Sequence, residues 1–461
     1  MQVQEYLPPA RARLPDSADA SAAGVAPPGT EPTASDVVDP PASDAPATVP
    51  LPAPPAAPTA SPGAPALPPA RGGARAPAPT GSPARAGSAA VHAAAPSVTL
   101  PAASVPRPAP APVAASSGAI TLERVTVAAG GRHSCALDAA GEARCWGAND
   151  DGQLGTGDLQ AYDTPVPVAG ELRFAQITTG GTHSCAVATG GEAYCWGSDD
   201  VGQLGDGARE LRTGPTRVAG QASYRALRAG LDHTCGLTAA GAVACWGANG
   251  SGQLGDGSTR SAPAPRPVAG LRGAAVLAAG WRHSCALSAD GVALCWGDNA
   301  EGQLGDGTRT ARLVPTAVAT PLRFVALAAG AAHSCALTPD GGAYCWGRGV
   351  GATTVTRVAV QAPLVSVAAG SVHTCGRTAA GVVYCWGRNT YGQLGDGTTA
   401  DHAAPVRVPG GPFRSLSATG AHTCASADGG PVCWGYNVSG QLGDGTRAHR
   451  TAPTRVTRGG A

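Results

Sequence analysis

The chain has no lysine, one methionine and three phenylalanines, and aromatic residues make up 4% of its 461 positions. All 32 basic side chains are arginine, set against 31 acidic ones. A formal net charge of +1 leaves no basic footprint for nucleic acid or an anionic membrane surface. The missing lysine reads as codon usage in a GC-rich genome, and a bacterial source is expected. No run of eighteen apolar residues occurs, so no membrane span is expected. Cys-x-x-Cys pairs are absent, which removes the usual zinc spacing. The glycine-rich stretches lack the Gly-Lys-Ser/Thr ending of a phosphate loop. Nor do they match the Asp-x-Asp-x-Asp-Gly calcium loop. No metal or cofactor is therefore expected. Between Met1 and Pro15 no basic stretch precedes an apolar core, so no secretory signal is visible.

What is present is a period. Cysteines at Cys135, Cys185, Cys235, Cys285, Cys335, Cys375 and Cys424 are spaced by 50, 50, 50, 50, 40 and 49 residues. Each has a partner nine or ten residues on: Cys145, Cys195, Cys245, Cys295, Cys345, Cys385 and Cys433. None is left over. Self-similarity at such an interval means one supersecondary unit repeated seven times.

The fourth copy displays the unit. Val276 to Gly280 is followed by His283 to Leu287, then Asp290-Gly291, then Val292 to Gly297, then a loop containing Gly302-Gln303-Leu304-Gly305. It closes on Pro315 to Val318. Short apolar runs punctuated by glycine, aspartate and proline are strand spacing, and four strands per copy result. Asp290-Gly291 reads as a hairpin turn. It puts the two cysteines of a copy on facing strands, where opposed Cβ atoms lie within reach of a disulfide. Seven oxidised hairpin bridges are expected, and with them an oxidising compartment. Cys295 and Trp296 are chain neighbours, so they point to opposite faces. The indole is expected to press on the next unit. The first strand is built of alanine, glycine and threonine, which suits strands crowded near a central axis. The fold class expected is all-β, a seven-bladed β-propeller. Pro453 to Val456 reads as a strand that completes the first blade and closes the ring.

Two domains are expected. Residues 1–117 are rich in proline, alanine and serine, as in Leu51-Pro52-Ala53-Pro54-Pro55, and read as a disordered linker. Residues 118–461 hold the seven repeats. The string Trp-Gly-x-Asn-x-x-Gly-Gln-Leu-Gly-Asp-Gly, then Pro-x-x-Val, then Ala-Ala-Gly-x-x-His-Ser/Thr-Cys-Ala-Leu resembles the repeat of the regulator of chromosome condensation family. The likeness runs over residues 120–456, in a cysteine-paired form expected of a bacterial member. It implies a seven-bladed propeller too. It also implies, as one alternative, guanine-nucleotide exchange on a small GTPase or chromatin binding. Copies that are nearly uniform, with no insertion and no basic tail, argue against both.

No catalytic constellation stands out, and no enzyme is expected. His133, His183, His233, His283, His333, His373 and His422 recur with the scaffold cysteines. They read as strand-start residues bonded to nearby backbone. Where the copies disagree, contact residues are expected: Arg132, Asp232, Trp281 and Arg282 just before the histidines, Glu301 and Tyr391 before Gly-Gln-Leu-Gly. Trp281 is the one tryptophan outside the repeated set, and aromatics anchor interfaces. Copy five lacks the Gly-Gln-Leu-Gly loop altogether, read as a neutral deletion in preference to a notch. The function expected is a non-catalytic, monomeric protein-binding scaffold with an unknown partner on its loop face. Its place is extracellular, periplasmic or on the cell surface, tethered by the linker. A secreted enzyme inhibitor is a further alternative, disfavoured by the low aromatic content.

Overall fold

A computed structural model describes residues 127–457, residue 351 excepted. The linker reading of residues 1–117 and the boundary at 118 lie outside the described residues. Among the described residues, seven four-stranded antiparallel sheets follow one another in chain order. In the first blade the innermost strand is Val127–Ala129, followed outward by His133–Leu137, Ala143–Gly147 and Tyr162–Pro167. The seventh runs Phe413–Ala418, His422–Ala427, Gly430–Gly435 and Arg450–Arg455. The all-β propeller read from the repeat is the observed fold.

Small side chains make the centre possible. Ala128, Ala129, Thr178, Ala229, Ala278, Ala328 and Ala368 line an axial channel of about 280 Å³. Neighbouring inner strands hydrogen-bond through their backbones at the turns, as from Gly131 N–H to the Gly180 carbonyl (2.9 Å). A Cβ on Gly180 would stand 2.6 Å from the Gly230 carbonyl oxygen and collide with the His183 ring. That approach is why the position is glycine.

Two expectations need correction. The C-terminal strand Arg450–Arg455 pairs with Gly430–Gly435 in its own blade and does not enter the first. The loop that joins these two strands is local, so each Pro-x-x-Val strand folds back on the strand just before it. Every copy thus carries its own four strands, and the ring closes by packing whole sheets. The indole, in turn, faces the preceding blade. Trp296 is buried with Cys235 and Cys245, and Trp196 with Cys135 and Cys145. Strand alternation separates bridge from indole correctly. Which neighbour each meets depends on the direction in which blades are laid around the axis, and a strand pattern carries no sign for that.

All seven disulfides are formed, with Cα atoms 4.0–4.1 Å apart. In the fourth blade Cys285 lies directly opposite Cys295 in the register.

Candidate functional site

The Gly-Gln-Leu-Gly loops join third to outer strands, and they are tight turns held by one buried asparagine side chain, or by Asp199 in blade two. In blade four, Asn299 Oδ1 accepts from the Leu304 N–H (3.0 Å). Its Nδ2 donates to Asp306 Oδ1 (3.1 Å) and to the Thr310 carbonyl (3.0 Å). Leu304 is wholly buried. The loop then seals the boundary with the next blade. The Gln303 carbonyl accepts from the Ser334 hydroxyl (2.9 Å) and from the Trp346 indole N–H (2.8 Å). A Cβ on Gly305 would sit 2.8 Å from the Trp346 ring, so bare backbone lies on the indole.

The histidines complete this boundary. His283 Nε2 lies 2.9 Å from Ser334 Oγ. Because Ser334 donates its proton to Gln303, His283 must donate through Nε2, leaving Nδ1 bare. The pattern repeats as His133 to Ser184, His183 to Thr234, His233 to Ser284, His333 to Thr374, His373 to Thr423 and His422 to Ser134, all at 2.8–2.9 Å. The last of these joins blade seven to blade one. The expected backbone partner is therefore a hydroxyl on the following blade. Burial pushes these imidazoles down to about 3 for His133, His183, His283, His373 and His422, and to about 4 for His233 and His333. They are neutral structural groups.

The variable positions converge. The turn after an inner strand and the loop after a third strand lie at the same end of an antiparallel blade, so all six expected contact residues share one face. Arg132 donates to Ser439 Oγ (2.9 Å) across the junction of blades one and seven and approaches Asp150 at 4.0 Å. Asp232 is half-buried, and burial pushes its carboxyl up, against the opposing pull of Arg282. Trp281 is half-buried and Arg282 exposed. Glu301 pairs with Arg309 at 3.7 Å. Tyr391 packs against Tyr436 (4.8 Å between ring centres) and His449 (5.1 Å). Sequence reading missed Tyr436 and His449, because only the fold brings those loops beside blade six. Among the described residues, no group of three His, Cys, Asp or Glu is placed to hold a metal ion. Nor is any helix there long and apolar enough to cross a membrane.

On the same face, the missing loop of copy five leaves a cavity of about 460 Å³ between blades five and six. It is lined by Trp281, His333, Arg348, Val350, Thr374 and Trp386, among others. Trp386 is 8% exposed, whereas the other six repeat tryptophans are at 0%. The missing loop, read from the sequence as a neutral deletion in preference to a notch for a partner, leaves this cavity open.

Comparison with known proteins matches residues 99–356, more than half of the chain, to the RCC1-like domain. Residues 364–393 and 380–426 match the regulator of chromosome condensation (RCC1) repeat. Among solved structures, human WBSCR16 is similar at 22% identity and a TM-score of 0.60, over 65% of this chain and 85% of its own. Prp20p of Saccharomyces cerevisiae, studied for its binding properties to Gsp1p and histones, is similar at 27% identity and a TM-score of 0.57. That likeness covers 64% of this chain and 80% of Prp20p. No curated protein matches the sequence.

Proposed function

The chain belongs to the family of RCC1-like domains, and from that premise we propose that it is a non-catalytic scaffold whose loop face binds another protein. One observation carries the reading. Arg132, Asp232, Trp281, Arg282, Glu301 and Tyr391 come from four blades and lie on one face, while the bonds that hold the blades together are buried beneath. A half-buried tryptophan flanked by an exposed arginine is the composition of an interface anchor. Seven disulfides support an exported molecule, since such bonds persist in oxidising compartments. Residues 1–117 would then serve as the tether.

The test is capture of partners on the full chain, repeated with Trp281→Ala and Arg282→Ala together. At least a tenfold loss of the retained partner, with an unchanged melting temperature, is expected. Equal retention by the double variant would sink the reading. The likeness to Prp20p favours one second reading, binding of a small GTPase with exchange of its nucleotide. A labelled-nucleotide release assay separates the two; the scaffold reading expects release at the buffer rate.

A further inference from the structure

We propose that the notch between blades five and six is a docking site for a loop of another protein, one that presents a glycine-flanked leucine and a free backbone carbonyl. The proposal rests on the reading of the molecule as a protein-binding scaffold, and it adds the chemistry of the partner.

The other six boundaries show what this one lacks. At each, a Gly-Gln-Leu-Gly loop from one blade buries its leucine completely: Leu154, Leu204, Leu254, Leu304, Leu394 and Leu442. At each, the second glycine lays its backbone on the next blade's indole. The glutamine carbonyl takes the Ser/Thr hydroxyl, and at five of the six also the indole N–H, at 2.8–3.0 Å. Blade six keeps the receiving half of this device. Trp386 lies in the repeat position and is more than nine-tenths buried, and copy five has no Gly-Gln-Leu-Gly loop to lay against it. Thr374 Oγ1 contacts His333 Nε2 and Cys335 Sγ, but no carbonyl. Both line the cavity. Val350, half-buried, reaches the same apolar cluster as the buried leucines do elsewhere, without filling it. The receptor is complete and the ligand has been deleted.

Residues 1–117 are not fitted to supply the occupant. The five leucines of residues 1–117 are Leu7, Leu14, Leu51, Leu67 and Leu100, and each is followed directly by proline. The position after the loop leucine has φ of +67° to +73° in the six intact copies. Proline is locked near −65° and cannot adopt that turn. A second copy is no better placed, because all six of its loop leucines are buried in its own boundaries. The occupant is a foreign loop.

The probe is a fluorescein-labelled peptide of residues 299–308, Asn-Ala-Glu-Gly-Gln-Leu-Gly-Asp-Gly-Thr, titrated into the full chain by anisotropy. Saturable one-to-one binding is expected, weakened at least tenfold when the peptide carries Leu304→Asp. The ¹⁵N-indole resonance of Trp386, assigned by Trp386→Phe, is expected to shift on binding while those of the other six repeat tryptophans, which lie outside the notch, hold still. Grafting residues 298–311 in place of the short connection after Gly347 fills the notch from within, and should abolish binding without lowering the melting temperature. Equal affinity for both peptides, binding that survives the graft, or no binding at millimolar peptide each overturns the proposal. So does a signal traced to self-association of the chain or to its residues 1–117. Peptide failure alongside capture that depends on Trp281 defeats the notch and leaves the face reading intact. Peptide binding without such capture does the reverse.

Discussion

Asp199 is the one loop position where a carboxylate replaces the amide found in the other five copies, at Asn149, Asn249, Asn299, Asn389 and Asn437. Its Oδ1 accepts from the Leu204 N–H (2.8 Å) as the asparagines do. It has no N–H to give to Asp206, the counterpart of Asp256 and Asp306. Burial pushes its carboxyl up to about 7, and the charge of Asp206 adds to that against the bond from Leu204. The folded value lies above the unfolded one, near 3.9. Stability from the protonated form is therefore full below that pH and is lost as pH rises through about 7. Asp199→Asn should stabilise the chain by about 1–3 kcal/mol at pH 8, the scale of a charge-assisted bond restored in a buried site. The gain should shrink at pH 5, where neutral Asp199 already avoids the buried charge. Urea midpoints at the two pH values measure this; equal midpoints for both proteins at pH 8 would mean the carboxylate is well solvated. The sequence shows that Asp199 departs from the repeat's asparagine but not that the carboxylate is buried, since a loop residue's burial leaves no periodic trace.

At the scale of the element, the hairpin was the most legible unit. Asp290-Gly291 lies midway between two cysteines, and this alone placed Cys285 opposite Cys295 in the observed register. Each bridge closes a loop of about eleven residues, for which chain entropy gives about 3 kcal/mol. Cys285→Ala combined with Cys295→Ala should cost about that much, read as a shift in the urea midpoint with an unchanged slope. No shift would place the constraint elsewhere, in the packing of Trp346 against that face. The face assignment and the ring closure were less legible. Both depend on how one sheet meets another, and the alternation of residues within a strand does not encode that. The notch was half legible. The absent loop is plain in copy five, but its consequence appears only when six filled boundaries are set beside the open one. The histidines were recognised as structural, yet their partner lies 41 to 51 positions away on another blade, or 288 away at the ring's seam.

For the whole molecule, those histidines make the ring a proton-sensitive closure. At six boundaries the Ser/Thr hydroxyl is committed to a glutamine carbonyl, so Nε2 is the donor to it, and burial keeps the ring neutral. The bare Nδ1 atoms of His133, His183, His233, His283, His373 and His422 are buried without a partner. Adding a proton there puts a cation where no acceptor waits. The folded values, pushed down by burial to about 3 or 4, lie below the unfolded value near 6.5. At these residues the unfolded chain binds more protons between these limits, so the histidine contribution is complete above pH 6.5 and falls as pH drops toward 4. One histidine gives a slope of about 1.4 kcal/mol per pH unit, and seven acting together approach about 10. Asp199 and Asp232, both pushed up by burial, offset part of this, because the folded chain holds their protons there; most other carboxylates add little in that window. Asp306 and Asp444, for example, are held below the usual range, against the pull of burial, by Thr308 and Arg312 and by Thr446 and Arg450, so they matter only in stronger acid. Acid unfolding should therefore be steep, with several protons taken up between pH 6 and 4, and it should occur with the disulfides intact. His283→Gln keeps an N–H donor and removes one titrating group, so it should lower the measured proton uptake by about one while the fold survives. A stability curve flat from pH 6.5 to 4.5, or an uptake that His283→Gln leaves unchanged, would mean that the imidazoles reach water before the blades part.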